Sequence, residues 1–107
     1  MAGSRQCAES PVIQGADESI AYGITTTPWG STPTSLSMVV WDITDTDLPV
    51  DVSVTVVTGT ITAAGDVITT KRIRLLTLGK KYRVEVLFTD ANSNIWEPFF
   101  VIECADK

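Results

Sequence analysis

From Leu78 to Phe88 the chain reads Leu-Gly-Lys-Lys-Tyr-Arg-Val-Glu-Val-Leu-Phe, and no other segment leaves the fold so few choices. Successive side chains on a strand point to opposite faces. Tyr82, Val84, Val86 and Phe88 therefore share one face, while Arg83 and Glu85 lie on the other with Leu87 as the exception. One face packs into a core and the other meets solvent or a partner. A tight turn at Gly79 leads into this strand, which points to an antiparallel β architecture.

The same period recurs along the chain. Glu18 to Ile24 sets Ile20, Tyr22 and Ile24 on one face. The next segment, Thr25 to Thr34, holds Pro28, Gly30 and Pro33; proline lacks the donor N–H that a ladder needs, so it is a loop, and it carries Trp29. Leu36 to Ile43 is apolar on both faces at its centre and reads as a central strand. After a polar turn at Thr44 to Pro49, Val50, Val52, Val54 and Val56 alternate with Asp51, Ser53 and Thr55, a clean strand pattern. Thr60–Thr62 and Val67–Thr70 flank a turn at Ala63 to Asp66 and read as a pair of edge strands. Ile73 and Leu75 form one more strand, and Asp90 to Asn94 turns the chain into a last strand over Ile95 to Cys104. No stretch has a helical period.

Seven to eight short strands in a chain of 107 residues predict an immunoglobulin-like or fibronectin-like antiparallel β-sandwich. In such folds a tyrosine at the start of the penultimate strand bonds its hydroxyl back to the preceding corner. Tyr82, behind the corner shaped by Leu78-Gly79, is placed for that role. Trp41 is expected to fill the centre, because neither Cys7 nor Cys104 lies where an intersheet disulfide would. The domain is expected over residues 17–107, and residues 1–16 as an N-terminal arm anchored by Val12 and Ile13, suited to wrapping a neighbour.

Composition narrows the function. A net charge of −5 disfavours a nucleic-acid backbone as partner. No apolar run reaches the about 20 residues that span a bilayer, so no membrane partner is expected, and the N-terminus lacks a signal-peptide core. The chain contains no histidine, which excludes Ser-His-Asp and Cys-His catalysis and most zinc sites. Two cysteines, Cys7 and Cys104, are expected as reduced thiols in the cytosol, with a disulfide between neighbouring copies as the alternative.

Four groups of residues could carry an interaction. Asp42, Asp45, Asp47 and Asp51 surround one turn, a spacing open to Ca²⁺, but the loop lacks the glycine and terminal glutamate of a helix–loop–helix site, and a solvated acidic turn accounts for it; no cofactor is expected. Lys71, Arg72, Arg74, Lys80, Lys81 and Arg83 hold six of the eight basic residues and give an acidic chain a positive stripe, which an acidic neighbour could recognise. Trp29 and Trp96, beside a loop and a turn, are candidates for interface anchors, core lids or sugar-stacking platforms. Glu85, Glu97 and Glu103 could share a face, yet a short sandwich offers them no cleft for paired-carboxylate chemistry.

The succession Asp17-Glu18-Ser19-Ile20-Ala21-Tyr22, Pro28-Trp29-Gly30, a valine-rich strand ending at Asp42, Gly65-Asp66-Val67-Ile68 and Leu78 to Phe88 resembles small structural proteins of tailed bacteriophages, of the fiber-tail adaptor or neck-region kind. The resemblance implies a non-enzymatic virion protein, made in the host cytoplasm and present in many symmetric copies. It would bridge portal, neck, tail or fiber components and contact copies of itself. A capsid decoration protein that cements the head is a close alternative. A carbohydrate-binding or host-attachment module using Trp29 and Trp96 is a more distant one.

Overall fold

The computed structural model describes residues 12–27, 29–45 and 47–105. The chain is mostly β, arranged as several antiparallel or mixed sheets around one core. The strands are β1 (Val12–Gln14), β2 (Gly23–Thr25), β3 (Thr34–Asp42), β4 (Val50–Asp51), β5 (Val57–Thr58), β6 (Thr62–Ala64), β7 (Val67–Thr69), β8 (Arg72–Ile73), β9 (Lys81–Thr89), β10 (Ile95–Trp96) and β11 (Phe99–Cys104), and one short helix, α1 (Ser53–Val56), precedes β5. The larger sheet has the order β1-β11-β9-β3-β4, with β10 also on β9; a second sheet is β2-β7-β6 and a third is β5-β8. Only β1, which runs parallel to β11, departs from antiparallel pairing among these ladders.

The strict alternation of Lys81–Thr89 builds the centre. Tyr82, Val84, Val86 and Phe88 are buried, and β9 pairs with both β11 and β3. Met38 and Val40 from β3, Phe100 and Ile102 from β11, Ile24 from β2, Ile68 from β7 and Ile73 from β8 join the same cluster, so all three sheets turn their inner faces to one core. Burying each such Val, Ile or Phe side chain contributes about 1.5–3 kcal/mol before conformational entropy is subtracted.

Several elements differ from the expectation. Val50 to Val56 is not a strand: β4 stops at Asp51, and the chain coils into α1, which leaves Val54 fully exposed. Local polar bonds decide this. The Asp51 carboxylate accepts the Ser53 N–H at 3.0 Å, the Ser53 hydroxyl accepts the Val40 N–H at 2.8 Å, and Val52 donates to the Val40 carbonyl at 3.0 Å. The two side-chain bonds end the ladder that the valine period would have continued, after the Val52 N–H makes its last backbone bond to β3.

Trp41 does not fill the centre. The register sets Met38 opposite Val86 and Val40 opposite Val84 on the inner face, which leaves Trp41 on the outer face opposite Arg83. The last strand divides at Pro98, which supplies no N–H, although its carbonyl still accepts from Val86 at 2.9 Å. The region around Glu18 to Ile24 is strand only over Gly23–Thr25, with Ile20 contributing a single bridge to Ile73. Of the edge pair expected near residue 65, β7 lies between β2 and β6, so only β6 is an edge.

Residues 1–11, the outer part of the expected arm, lie outside the described residues, as does Cys7. The arm's inner part is β1, and its Gln14 is fully buried with every amide group used. Gln14 Nε2 donates to the Ile73 carbonyl at 2.7 Å and the Glu18 carbonyl at 3.1 Å, while Oε1 accepts from the Tyr22 hydroxyl at 2.6 Å. One side chain thus ties β1 of the larger sheet to β8 of another. Burial, and then the nearby Glu18 charge, push the Tyr22 hydroxyl up to about 12, so it remains a donor to Gln14.

At the corner before β9, Gly79 takes φ of 86°, a left-handed conformation that suits glycine. Its N–H donates to the Cys104 carbonyl at 2.9 Å, and the Thr77 N–H donates to the Tyr82 hydroxyl at 2.9 Å. Tyr82→Phe keeps the ring and removes this acceptor. The expected loss of stability is about 1–2 kcal/mol, read as a lower urea midpoint with an unchanged m value.

Candidate functional site

The pleat that buries one face of the larger sheet presents the other. On β9 this outer face carries Lys81, Arg83, Glu85 and Leu87; the register adds Ser37, Val39 and Trp41 from β3, Phe99, Val101 and Glu103 from β11, Ile13 from β1 and Ile95 from β10. None of its apolar residues belongs to the core cluster or packs against it. Val39, Trp41, Phe99 and Val101 are half-buried by their neighbours, while Ile13, Leu87 and Ile95 are exposed.

Charges on this face neutralise one another. Arg83 Nε lies 2.9 Å from Glu85 Oε2, an ion pair without the alignment of a hydrogen bond. The other oxygen, Glu85 Oε1, accepts the Trp41 indole N–H at 2.9 Å, which ties the ring to the neighbouring strand. Lys81 stands opposite Glu103 in the register. Two cations and two carboxylates across β9 and β11 leave no net charge there.

At one end of the sheets three loops meet over a buried carboxylate. Asp90 is 6% exposed. Its Oδ2 accepts the Trp96 indole N–H at 2.9 Å, and its Oδ1 accepts the backbone N–H groups of Asn92 at 2.8 Å and Asn94 at 2.9 Å. The loop bearing Trp29 closes on the same point: a Cβ at Gly30 would fall inside the volume of the Asp90 side chain, and Ala91 donates to the Ser31 carbonyl at 2.9 Å. Asp66 joins from the β6–β7 turn by accepting the Thr32 N–H at 3.1 Å. Trp29 and Trp96 are half-buried lids against the core. The Trp96 N–H, helped by the Asn94 and Asn92 groups and opposed by burial, holds the Asp90 carboxyl below the ordinary carboxylate range.

At the acidic turn, Asp42 is paired rather than gathered with the other carboxylates. Lys80 Nζ lies 3.1 Å from its Oδ2, and the Thr44 N–H donates to Oδ1 at 3.0 Å. Burial raises its pKa, but the two Thr44 groups and Lys80 outweigh that and lower it. Asp45 accepts the Asp47 N–H at 3.1 Å, and the Ser53 backbone and hydroxyl groups lower the pKa of Asp51. Among the described residues no group of three or more acidic or cysteine side chains could hold a metal ion. Asp42, Thr44, Asp45, Leu48, Val50 and Lys80 line an open depression of about 340 Å³.

The basic residues that are adjacent in sequence are divided in space. Lys71, Arg72 and Arg74 belong to β8 and its flanks, where Arg72 Nη1 donates to the Ser19 carbonyl at 3.1 Å. Lys80 is engaged by Asp42, and only Lys81 and Arg83 reach the outer face of β9. Glu85 and Glu103 do share that face, without Glu97, which precedes Pro98 outside the ladder. Cys104 is 1% exposed on the inner side of β11. The apolar outer face escaped the alternation argument, although runs such as Phe99-Phe100-Val101-Ile102 signal a strand with something to cover on both sides.

Stability should follow Asp90 at low pH. Because its folded carboxyl titrates below the ordinary aspartate value, its contribution is complete above about pH 3.9 and is lost as pH falls through the folded value. Urea midpoints measured downward from about pH 5 should fall more steeply for wild type than for Asp90→Asn. Parallel slopes would contradict this role. Comparison of the chain with protein-family models, curated proteins and solved structures gave no match.

Proposed function

We propose that the chain is a non-enzymatic structural protein of a tailed-bacteriophage virion, a multi-copy adaptor that bridges neck, tail or fiber components. The outer face of the larger sheet carries this reading. Half-buried Val39, Trp41, Phe99 and Val101 beside mutually neutralised charges have the make-up of a protein interface, with an apolar and aromatic centre and a polar surround. The resemblance of the strand and turn segments supplies the virion setting, with synthesis in the host cytoplasm.

An immunoglobulin-like sandwich is the finer fold reading. It is supported by the parallel pairing of β1 with β11, by β9 between β11 and β3, and by the Tyr82 hydroxyl bonded back to Thr77. A frame of this kind holds an adhesive surface at low conformational cost, because the residues that present it are already fixed by the ladder.

One observation favours a second reading, carbohydrate binding at the loop end. Asp90 takes the Trp96 N–H and holds the indole in place, as a stacking platform requires. Glycan-array binding lost in both Trp29→Ala and Trp96→Ala would establish it.

Locating the chain's density in a reconstruction of purified particles tests the adaptor directly. A ring at the portal or tail is expected. A dispersed lattice on the shell would replace the adaptor with a decoration protein, and absence from purified particles would contradict both.

A further inference from the structure

We propose that the outer face of β11, β9 and β3 is a contact between two copies of this chain, related by a twofold axis that lies between the two stacked sheets, across β9 at the level of Val84. This deepens the self-association in the proposed function by naming its surface, and it rests on that reading only for the expectation that copies meet.

Charge is the first argument for a second copy as occupant. The chain carries a net charge of −5, so two copies repel through most approaches. Across β9 and β11 this face sets Lys81 and Arg83 against Glu85 and Glu103, and it is therefore neutral. Asp51, at the β4 edge, is turned to the N–H of its own Ser53.

Self-complementarity is the second. An isologous contact needs each feature to meet its complement on an identical surface. Arg83 and Glu85 are two residues apart on one strand, so a twofold between them lays Arg83 of each copy over Glu85 of the other. The same operation lays β3 over β3 and β11 over β11 of the other copy, so that Val39 meets Trp41 and Phe99 meets Val101 across the axis. Sheets stack in this way with about 10 Å between them and interdigitated side chains.

Size sets the strength. The three strands of this face, of nine, nine and six residues, at about 4.8 Å spacing and about 3.3 Å rise give a footprint on the order of 400 Å² per copy. That lies below the roughly 800 Å² per partner of a standard interface. The dimer is therefore weak enough to dissociate on dilution in vitro, and the many copies in a particle would strengthen it by effective concentration.

Sedimentation velocity of the full chain across a dilution series reads this out. Wild type is expected to shift from dimer to monomer on dilution from hundreds of micromolar. Val101→Glu and, independently, Val39→Glu should weaken the dimer at least about tenfold, the fold-change of a single disrupted contact, with circular dichroism melting of the monomer retained. Val54→Glu, on the exposed tip of α1, should leave dimerisation unchanged. A wild type that is monomeric at every concentration overturns the proposal, as does a dimer insensitive to both face variants. A monomeric protein whose incorporation into particles is nevertheless lost in Val101→Glu also overturns it and assigns the face to a different protein. Particle localisation is measured separately, so failure of this contact is distinguishable from failure of the adaptor reading.

Discussion

The larger sheet depends on the period-two alternation of Lys81–Thr89. This strand pairs on one side with β11 and on the other with β3, and the remaining strands of that sheet attach through those two or, for β10, through β9 itself. A shift of one residue would exchange Tyr82, Val84, Val86 and Phe88 for Lys81, Arg83, Glu85 and Leu87 in the core, at the cost of burying three charges. Register is thus fixed by the price of desolvating ions, and the corner at Gly79 and Thr77 fixes where the strand begins.

Around that strand, buried polar groups specify how the sheets are joined. Gln14 links β1 to β8 and to Tyr22, and Asp90 gathers the loops at residues 29–32 and 91–96. Both sites replace water with a full set of protein partners, which makes them costly to rearrange and gives the loops one arrangement. Away from both sites, the outer sheet face leaves Ile13, Leu87 and Ile95 exposed.

Much of this was legible in the sequence where one physical effect dominated. The alternation in Lys81–Thr89, the breaks at Gly79 and Asp90 and the mostly β character followed from period and turn chemistry. In Val50 to Val56 the valine period is real, while the bonds that override it come from Asp51 and Ser53, whose partners include Val40 on another strand. Leu36 to Ile43 is apolar on both faces, so its sequence does not choose the face of Trp41, and only pairing with β9 decides it. The basic stripe dissolved because residues 71–83 pass from one sheet through a corner into another, so adjacency in sequence did not become adjacency on a surface.

The inner face of β9 is buried in the core, and the proposed contact between copies uses its outer face. Arg83→Glu tests the division directly, since it reverses a charge on the outer face and leaves the core untouched. Measured by urea unfolding and by sedimentation on the same preparation, the variant should lose the dimer while its unfolding free energy falls by less than the about 2–5 kcal/mol of a core truncation. An Arg83→Glu protein that associates as wild type does, or that loses stability on the scale of a core substitution, would contradict it.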